Sequence, residues 1–419
     1  MILLTDKSKC CGCAACASIC PVGCITMAVD SEGFPYPKVD LPTCIDCGRC
    51  ERVCPFLNVS EVAPVKAALV ARTHDEELLY KSSSGGIFTE LCRPVLEAGG
   101  AVYGVAMEAD CRGCSFVRAD TLEGIAPMRG SKYLQADSAG VYERVAADLK
   151  MGRRVLFSGT PCQANALRRY LGGKCDGLLV VDFLCHGVPS PRLWEKSIEA
   201  FETRRGVKVT SVDFRCKEVS WRRFSREAKC RDGVLYEPLY KSPFLRMFLK
   251  NYCLRESCYT CEAKLTRAAD ITIADCWGIQ DVLPGMADEL GFSLVIVRTE
   301  EGARRLDAIA KSLEMHVVDY GVAVSHNSSA YESANRPPER DLFFDELDKL
   351  GYAGMIRKYG TPRVKERVKR AAKRTFGKVG LLDIARKLRG GRSHASDLRY
   401  GVLLTYDVAL SGEGKADES

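Results

Sequence analysis

Apolar positions along this chain fall into two regimes. Residues 1–60 show little hydrophobic periodicity and are dense in cysteine. After Pro64 the texture changes to short apolar runs alternating with amphipathic stretches. Residues 65–71, 154–158, 178–184, 270–274 and 292–297 read as strands, and the run at 178–184 has the length of a strand buried on both faces. Helices are predicted at 87–98, at 138–151, where Val141, Val145 and Leu149 share one face, at 163–171 and near 302–313. Another begins at Ser190, capped by its own hydroxyl with Pro191 in the first turn. Strands alternating with helices predict an α/β core with a mostly parallel sheet. Pro337-Pro338 marks a boundary, so a body at 65–335, in parts of about 65–150 and 151–335, precedes a helical tail at 336–419.

Composition adds one constraint. The 419 residues are 46% hydrophobic and 27% charged, ordinary for a globular chain of two or three domains. The apolar runs are too short to cross a bilayer and no basic–apolar leader precedes Cys10, so the expected location is the cytoplasm. Yet the chain holds 22 cysteines. In a reducing compartment that number points to metal ligation before disulfides. Charge is unevenly spread: residues 351–399 carry 15 Lys and Arg against Glu366, Asp383 and Asp397, a local net of +12 in a chain of net +7. The body is therefore mildly acidic and the tail basic.

Cys10, Cys13, Cys16 and Cys20, followed by Pro21, form C-x2-C-x2-C-x3-C-P, and Cys44, Cys47, Cys50 and Cys54, followed by Pro55, repeat it. Three thiolates at this spacing wrap three corners of a cubane while the fourth reaches the other cluster, as in bacterial two-cluster ferredoxins. One 4Fe–4S cluster is expected on Cys10, Cys13, Cys16 and Cys54, and a second on Cys44, Cys47, Cys50 and Cys20. Zinc also takes paired C-x2-C motifs, but has no use for the third cysteine or the terminal proline. Residues 1–60 are thus expected to be a small α+β ferredoxin-type domain, with Cys11 and Cys24 as packed thiols outside the motif.

In the body, Cys162 and Cys185 follow predicted strands, at the carboxyl ends where open α/β sheets collect their ligands. With the pair Cys258 and Cys261 they supply four thiolates. A competing grouping, Cys253, Cys258, Cys261 and Cys276, mimics plant-type 2Fe–2S spacing, and spacing alone does not choose between them. Ser83-Ser84-Gly85-Gly86 ahead of a helix offers backbone N–H groups to a phosphate, although such a segment alone is more often an ordinary turn. His186, beside Cys185, is a candidate proton relay or a structural histidine. Neither G-x-G-x-x-G nor G-x-x-x-x-G-K-[ST] occurs, so the motifs for nicotinamide binding and nucleotide hydrolysis are both missing.

The segments 81–86, 130–133 (Gly-Ser-Lys-Tyr), 159–163, 182–189, 257–261 and 270–278, taken in order, resemble the family of coenzyme F420 hydrogenase/dehydrogenase beta subunits over roughly residues 1–320. The resemblance implies FAD and a core 4Fe–4S cluster, with an N-terminal two-cluster domain as many members carry. Matching positions for the core cluster are Cys162, Cys185, Cys258 and Cys261, which sets Cys253 and Cys276 aside. FAD would then lie near Ser83, Ser84, Gly85 and Gly86, with Lys132 neutralising its phosphate or its reduced form.

The expected function is an iron–sulfur flavoprotein oxidoreductase exchanging two electrons with a small-molecule substrate or deazaflavin-like coenzyme and single electrons with clusters. The residues name no catalytic group. A ferredoxin-like electron-carrier component of a larger redox complex is the alternative, and a redox partner protein fits either. Val364, Val368, Ala372, Phe376 and Val379 recur at helical spacing among basic residues, which suits an anionic membrane surface or an acidic partner. Nucleic acid is discounted, since aromatic residues do not interleave that charge.

Overall fold

A computed structural model of the chain describes residues 1–362 except positions 60 and 63. At the N-terminus, short helices at Ala15–Ser18 and Arg49–Val53 flank an antiparallel hairpin of β1 (Ile25–Val29) and β2 (Pro35–Val39). Each helix starts from a left-handed residue, Ala14 (φ 62°) or Gly48 (φ 67°), which turns the chain sharply inside its cysteine motif.

The body contains β3 (Ala67–Thr73), β4 (Ala101–Met107), β5 (Cys114–Ala119), β6 (Val155–Ser158) and β7 (Leu178–Phe183). A separate antiparallel sheet follows, made of β8 (Val209–Cys216), β9 (Ser225–Cys230) and β10 (Gly233–Pro238). The chain then re-enters the main sheet with β11 (Ile271–Asp275), β12 (Ser293–Val297) and β13 (Leu313–Val317). The main sheet has eight strands in the order β13-β3-β12-β11-β7-β6-β4-β5.

The α/β class agrees with the periodicity, but the sheet is mixed where a mostly parallel one was expected. Parallel pairing is confined to β11-β7-β6-β4, and four of the seven pairings are antiparallel. Connection length explains the departures. Residues 108–113 between β4 and β5 are too few for a crossover, so β5 turns back as an antiparallel edge. The link from β11 to β12 holds only the short helix Ile279–Val282 and brings β12 back beside β11, between it and β3. β3, β11, β7, β6 and β4 still run in one direction, so their carboxyl ends share one edge of the sheet.

Helices Val141–Lys150, Pro161–Tyr170 and Pro191–Arg205 contribute Val145, Leu167 and Ile198 to the core on one face, and Ile87–Glu97 and Glu300–Asp307 contribute Leu91 and Leu306 to that on the other. The first core also takes in Ala15, Phe34 and Val53 of the cysteine module. Tyr142 Oη donates to the Cys13 carbonyl at 2.9 Å, and Arg340 grips both Glu32 oxygens at 2.9 and 2.5 Å. Module and body are one packed unit, which runs from Met1 to Thr361.

That unit includes a helix beyond the expected boundary at Pro337-Pro338. Helix Arg340–Met355 places Phe343, Phe344, Leu347, Tyr352 and Met355 in the same core, so residues 336–361 belong with the body. The two prolines ahead of it and the basic stretch after it make this segment read as tail, and its apolar face outweighs both. The predicted helix face from Val364 to Val379 lies outside the described residues. Among the described residues, no helix is long and apolar enough to cross a membrane. Replacing the fully buried Phe343 by Ala should cost about 3–5 kcal/mol, read as a lower denaturant midpoint. An unchanged midpoint would show that this helix contributes little to the core.

Candidate iron–sulfur and cofactor sites

The eight N-terminal thiols surround volumes and do not converge on points. Among the described residues, no group of three Cys, His, Asp or Glu could hold a single metal ion. Instead Cys10, Cys13, Cys16 and Cys54 line a cavity of about 390 Å³ together with Cys11, while Cys20, Cys44, Cys47 and Cys50 line a second, smaller one together with Cys24. Each fourth cysteine thus lines the cavity of the other motif's first three. Burial pushes Cys16 up to about 12, and charge on Cys10 and Cys54 adds to it. Backbone N–H groups point at sulfur, from Gly12 to Cys10 at 3.4 Å and from Ile2 to Cys50 at 3.3 Å. Such donors favour a thiolate. Four enclosed thiols with amides aimed at sulfur match the ligand chemistry of a cubane.

Cys11 and Cys24 lie at the sites and are more than packing. Cys24 Sγ is 3.4 Å from Cys20 Sγ. Burial opposes ionisation of Cys20, but the Cys24 thiol and the amides of Val22, Cys24 and Gly23 outweigh it and hold its pKa below the ordinary thiol value. Cys11 lines the first cavity and its carbonyl accepts from Gln135 Nε2 of the body at 3.2 Å, so it lies where the first N-terminal group meets the body.

Cys162, Cys185, Cys258 and Cys261 come together at the carboxyl edge of the sheet. Cys162 lies in the first turn of the helix after β6, where Thr160 and Gln163 form a capping box, and Cys185 follows β7. All six pairs among the four are within electrostatic reach. Burial raises Cys258, and so do Cys185, Cys261 and Cys162; burial raises Cys185 to about 12, with Cys162 and Cys261 adding; burial raises Cys261, with Cys162 adding. The Val188 amide points at Cys258 Sγ (3.4 Å) and Thr160 Oγ1 is 3.1 Å from Cys162 Sγ. Two buried ion pairs hold the loops in place. Arg267–Asp182 (2.8 Å) ties the segment after Cys261 to the end of β7, and Arg168–Asp270 (2.6 Å) ties the Cys162 helix to the start of β11.

The rival grouping is not assembled this way. Cys276 belongs to a separate core with Ile279 and Phe292, and Cys253 is buried with its neighbours in the main core. His186 Nε2 lies 2.7 Å from Asn251 Oδ1 and its ring packs edge-on to Phe248; burial lowers its pKa, so it sits as an anchored neutral imidazole.

The two loops expected around a flavin do meet. Ser131 N donates to Ser83 Oγ at 2.9 Å. Ser84 Oγ donates to the Phe292 carbonyl at 2.7 Å and Gly85 N to Ser293 Oγ at 2.9 Å. A Cβ at Gly85 would overlap the Ala71 carbonyl, and Gly86 (φ 83°) starts the helix Ile87–Glu97 in the left-handed region, so packing explains both glycines. Lys132 Nζ donates to the carbonyls of Pro127, Arg129 and Gly130, and burial lowers its pKa to about 8.

Sequence reasoning missed the other cations here. Lys217 Nζ donates to the carbonyls of Leu79, Ser84 and Leu290, and burial lowers its pKa to about 7, with Arg215 adding. Arg215 pairs with both oxygens of Asp275 and reaches the Ser83 carbonyl. Lys264 caps the Cys185 carbonyl beside the body thiols. No motif marks these residues; the one available signal was the proximity of Lys264 to the C-x2-C pair.

Fold and donor sets define an iron–sulfur electron-transfer protein with an α/β body. Residues 9–58 match the 4Fe–4S dicluster domain, residues 68–142 the N-terminal part of coenzyme F420 hydrogenase/dehydrogenase beta subunits, and residues 152–321 their C-terminal part. The chain belongs to the family of coenzyme F420 hydrogenase/dehydrogenase beta subunits. It is 23% identical over 324 residues to an F(420)H(2) dehydrogenase subunit of Methanosarcina mazei, covering 73% of this chain and 84% of that protein. A 42-residue stretch is 48% identical to a 7Fe ferredoxin of Hydrogenibacillus schlegelii, covering 10% of this chain and 47% of that one. A chain of the F420-reducing NiFe hydrogenase complex from Methanosarcina barkeri superposes with a TM-score of 0.47 at 19% identity, over 70% of this chain and 94% of that one.

Replacing Cys258 by Ser should remove about four irons per chain and leave the N-terminal groups loaded, by iron analysis and electron paramagnetic resonance. Replacing Cys276 should change nothing. Iron lost on replacing Cys276 but retained on replacing Cys258 would restore the plant-type grouping.

Proposed function

We propose that this chain is an iron–sulfur flavoprotein oxidoreductase that passes single electrons among three 4Fe–4S clusters and binds FAD, with a two-electron substrate or deazaflavin-like coenzyme at the flavin. The observation that carries the reading is the gathering of Cys162, Cys185, Cys258 and Cys261, half-buried together, within one folded unit that also holds the N-terminal thiols. The first N-terminal cluster is assigned to Cys10, Cys13, Cys16 and Cys54, the second to Cys20, Cys44, Cys47 and Cys50. The M. mazei relative is named as a subunit of a dehydrogenase, which fits a protein redox partner here as well.

Support for FAD comes from charge at the loops Ser83–Gly86 and Gly130–Lys132. Lys217 is buried and Lys132 half-buried there, both with carbonyl partners, and the buried Arg215 stands beside them. Cations held in poorly solvated surroundings favour an anion such as a diphosphate or a reduced flavin. When bound, the flavin supplies the exchange between two-electron and one-electron chemistry. In this reading Ser83, Ser131 and Gly86 shape the loop, and Lys132, Lys217 and Arg215 provide its field.

One observation favours a second reading, a flavin-free electron carrier within a larger complex: Lys132 and Lys217 each already use their donors on three carbonyls. Anaerobic purification with cofactor counts decides between them. The flavoprotein reading predicts about twelve irons per chain, as acid-labile clusters, and releasable FAD. Lys217→Met should lower FAD retention and leave iron unchanged. A full iron count with no flavin, even after reconstitution, would leave the carrier reading.

A further inference from the structure

Arg255 begins the loop that carries Cys258 and Cys261, and its backbone belongs to the body. Its N–H donates to the Val188 carbonyl at 3.0 Å and its carbonyl accepts from Cys258 N at 2.9 Å. Its side chain leaves the body altogether. Nε donates to the Cys10 carbonyl at 2.7 Å, one terminal nitrogen to Gln135 Oε1 at 3.1 Å, and the other to the Pro35 carbonyl at 2.9 Å, with Cys10 Sγ at 3.6 Å. The guanidinium stacks on Tyr36 at 4.1 Å from the ring centre. Gly12 is fitted to it: a Cβ there would stand 2.7 Å from the guanidinium nitrogen.

This residue is fully buried, 0% exposed. Among the described residues its partners are carbonyl and amide oxygens, sulfur and aromatic rings, with no carboxylate. The nearby acids are engaged elsewhere, Glu32 with Arg340 and Asp30 with Lys7. An arginine cannot shed its proton, and burying its charge without a counter-ion is costly. The anion that completes the site is thus missing from the amino acids, and the nearest candidate position is the thiolate set beginning at Cys10.

We propose that Arg255 is the counter-cation of the cluster held by Cys10, Cys13, Cys16 and Cys54, a positioning residue that raises its reduction potential and makes it the partner of the body's cluster in electron exchange. The inference rests on the cluster assignment above. A cluster held there would gain one negative charge on accepting one electron from an external low-potential donor, and the fixed Arg255 cation would stabilise that charge without proton uptake. Passing the electron on would oxidise the first cluster by one and reduce the body's cluster by one. Tyr142 of the body donates to the Cys13 carbonyl at 2.9 Å and shares one core with Cys13 and Leu167, so the exchange has a packed route. The other N-terminal cysteine group has no contact with Arg255 among its hydrogen bonds.

The test is a redox titration of the whole anaerobic protein with dithionite, followed by electron paramagnetic resonance, taking as the first cluster the signal that Cys16→Ser removes. In Arg255→Gln with full iron, the reduced-to-oxidised ratio of that cluster at a fixed potential should fall about tenfold, about 59 mV for a one-electron couple. The second N-terminal cluster should not move. Full iron with unmoved potentials would overturn the proposal. Should Arg255→Gln lose iron, Arg255→Lys decides: iron retained with a near-normal first-cluster potential supports the role of charge, and iron lost again overturns it in favour of a purely structural role. A wild-type chain with no reducible cluster removed by Cys16→Ser would instead overturn the cluster assignment, and the inference with it.

Discussion

Thiols crowded together out of water resist becoming thiolates, and the structure is arranged around that constraint. Burial alone pushes a cysteine up, and each neighbouring thiolate pushes it further. Cys16 and Cys185 both reach about 12, far from the charge state in which sulfur binds iron. Protonated, the thiols are at rest; binding iron would exchange metal for those protons, its positive charge offsetting the repulsion among the thiolates. Assembly of the sites is thereby tied to proton release. The polypeptide's share of the work is to hold donors from distant segments close together ahead of any metal.

Rigidity for this comes from the α/β body. Parallel strands β6 and β7 deliver Cys162 and Cys185 to one edge, which follows from strand direction and needs no special geometry. The Cys258–Cys261 loop has no such support from the sheet, and it is fixed by charge. Arg267 reaches Asp182 beneath Cys185, Lys264 caps the Cys185 carbonyl, and Arg255 anchors the loop to the N-terminal module. A buried ion pair is weak evidence for net stability, since desolvation offsets most of its attraction. Its directional hydrogen bonds nevertheless leave the loop few alternative positions, and that is what a ligand set requires.

Legibility in the sequence followed chemistry more closely than topology. The N-terminal grouping could be read because spacing in a short segment limits which sulfurs can meet. The strand at 178–184 was legible as an apolar run, and Cys185 after it as a strand-end residue. The direction of β12 was not, because its apolar pattern is the same whether it runs parallel or antiparallel. The small sheet β8-β9-β10 escaped because its strands mix charged and apolar residues, with β10 largely exposed or half-buried. Helix Arg340–Met355 reads as tail because of the prolines before it, although its Phe343 and Leu347 are at core spacing. Buried cations are the least legible of all: Lys217 and Arg255 look like surface residues until the fold surrounds them.

The shared core of module and body bears on how electrons move. A ferredoxin domain on a linker would meet its partner by diffusion, and its orientation would vary. Here Ala15, Phe34 and Val53 are packed into the same core as Val141, Tyr142 and Leu167, and Tyr142 holds the Cys13 carbonyl directly. The distance between the first cysteine group and the body's cysteines is then a property of one folded unit. The second N-terminal group lines its own cavity, with Cys47 exposed to solvent. One group thus reaches solvent, while the other shares its core with the body. The order of the sites follows from packing, before any difference in potential between them is considered.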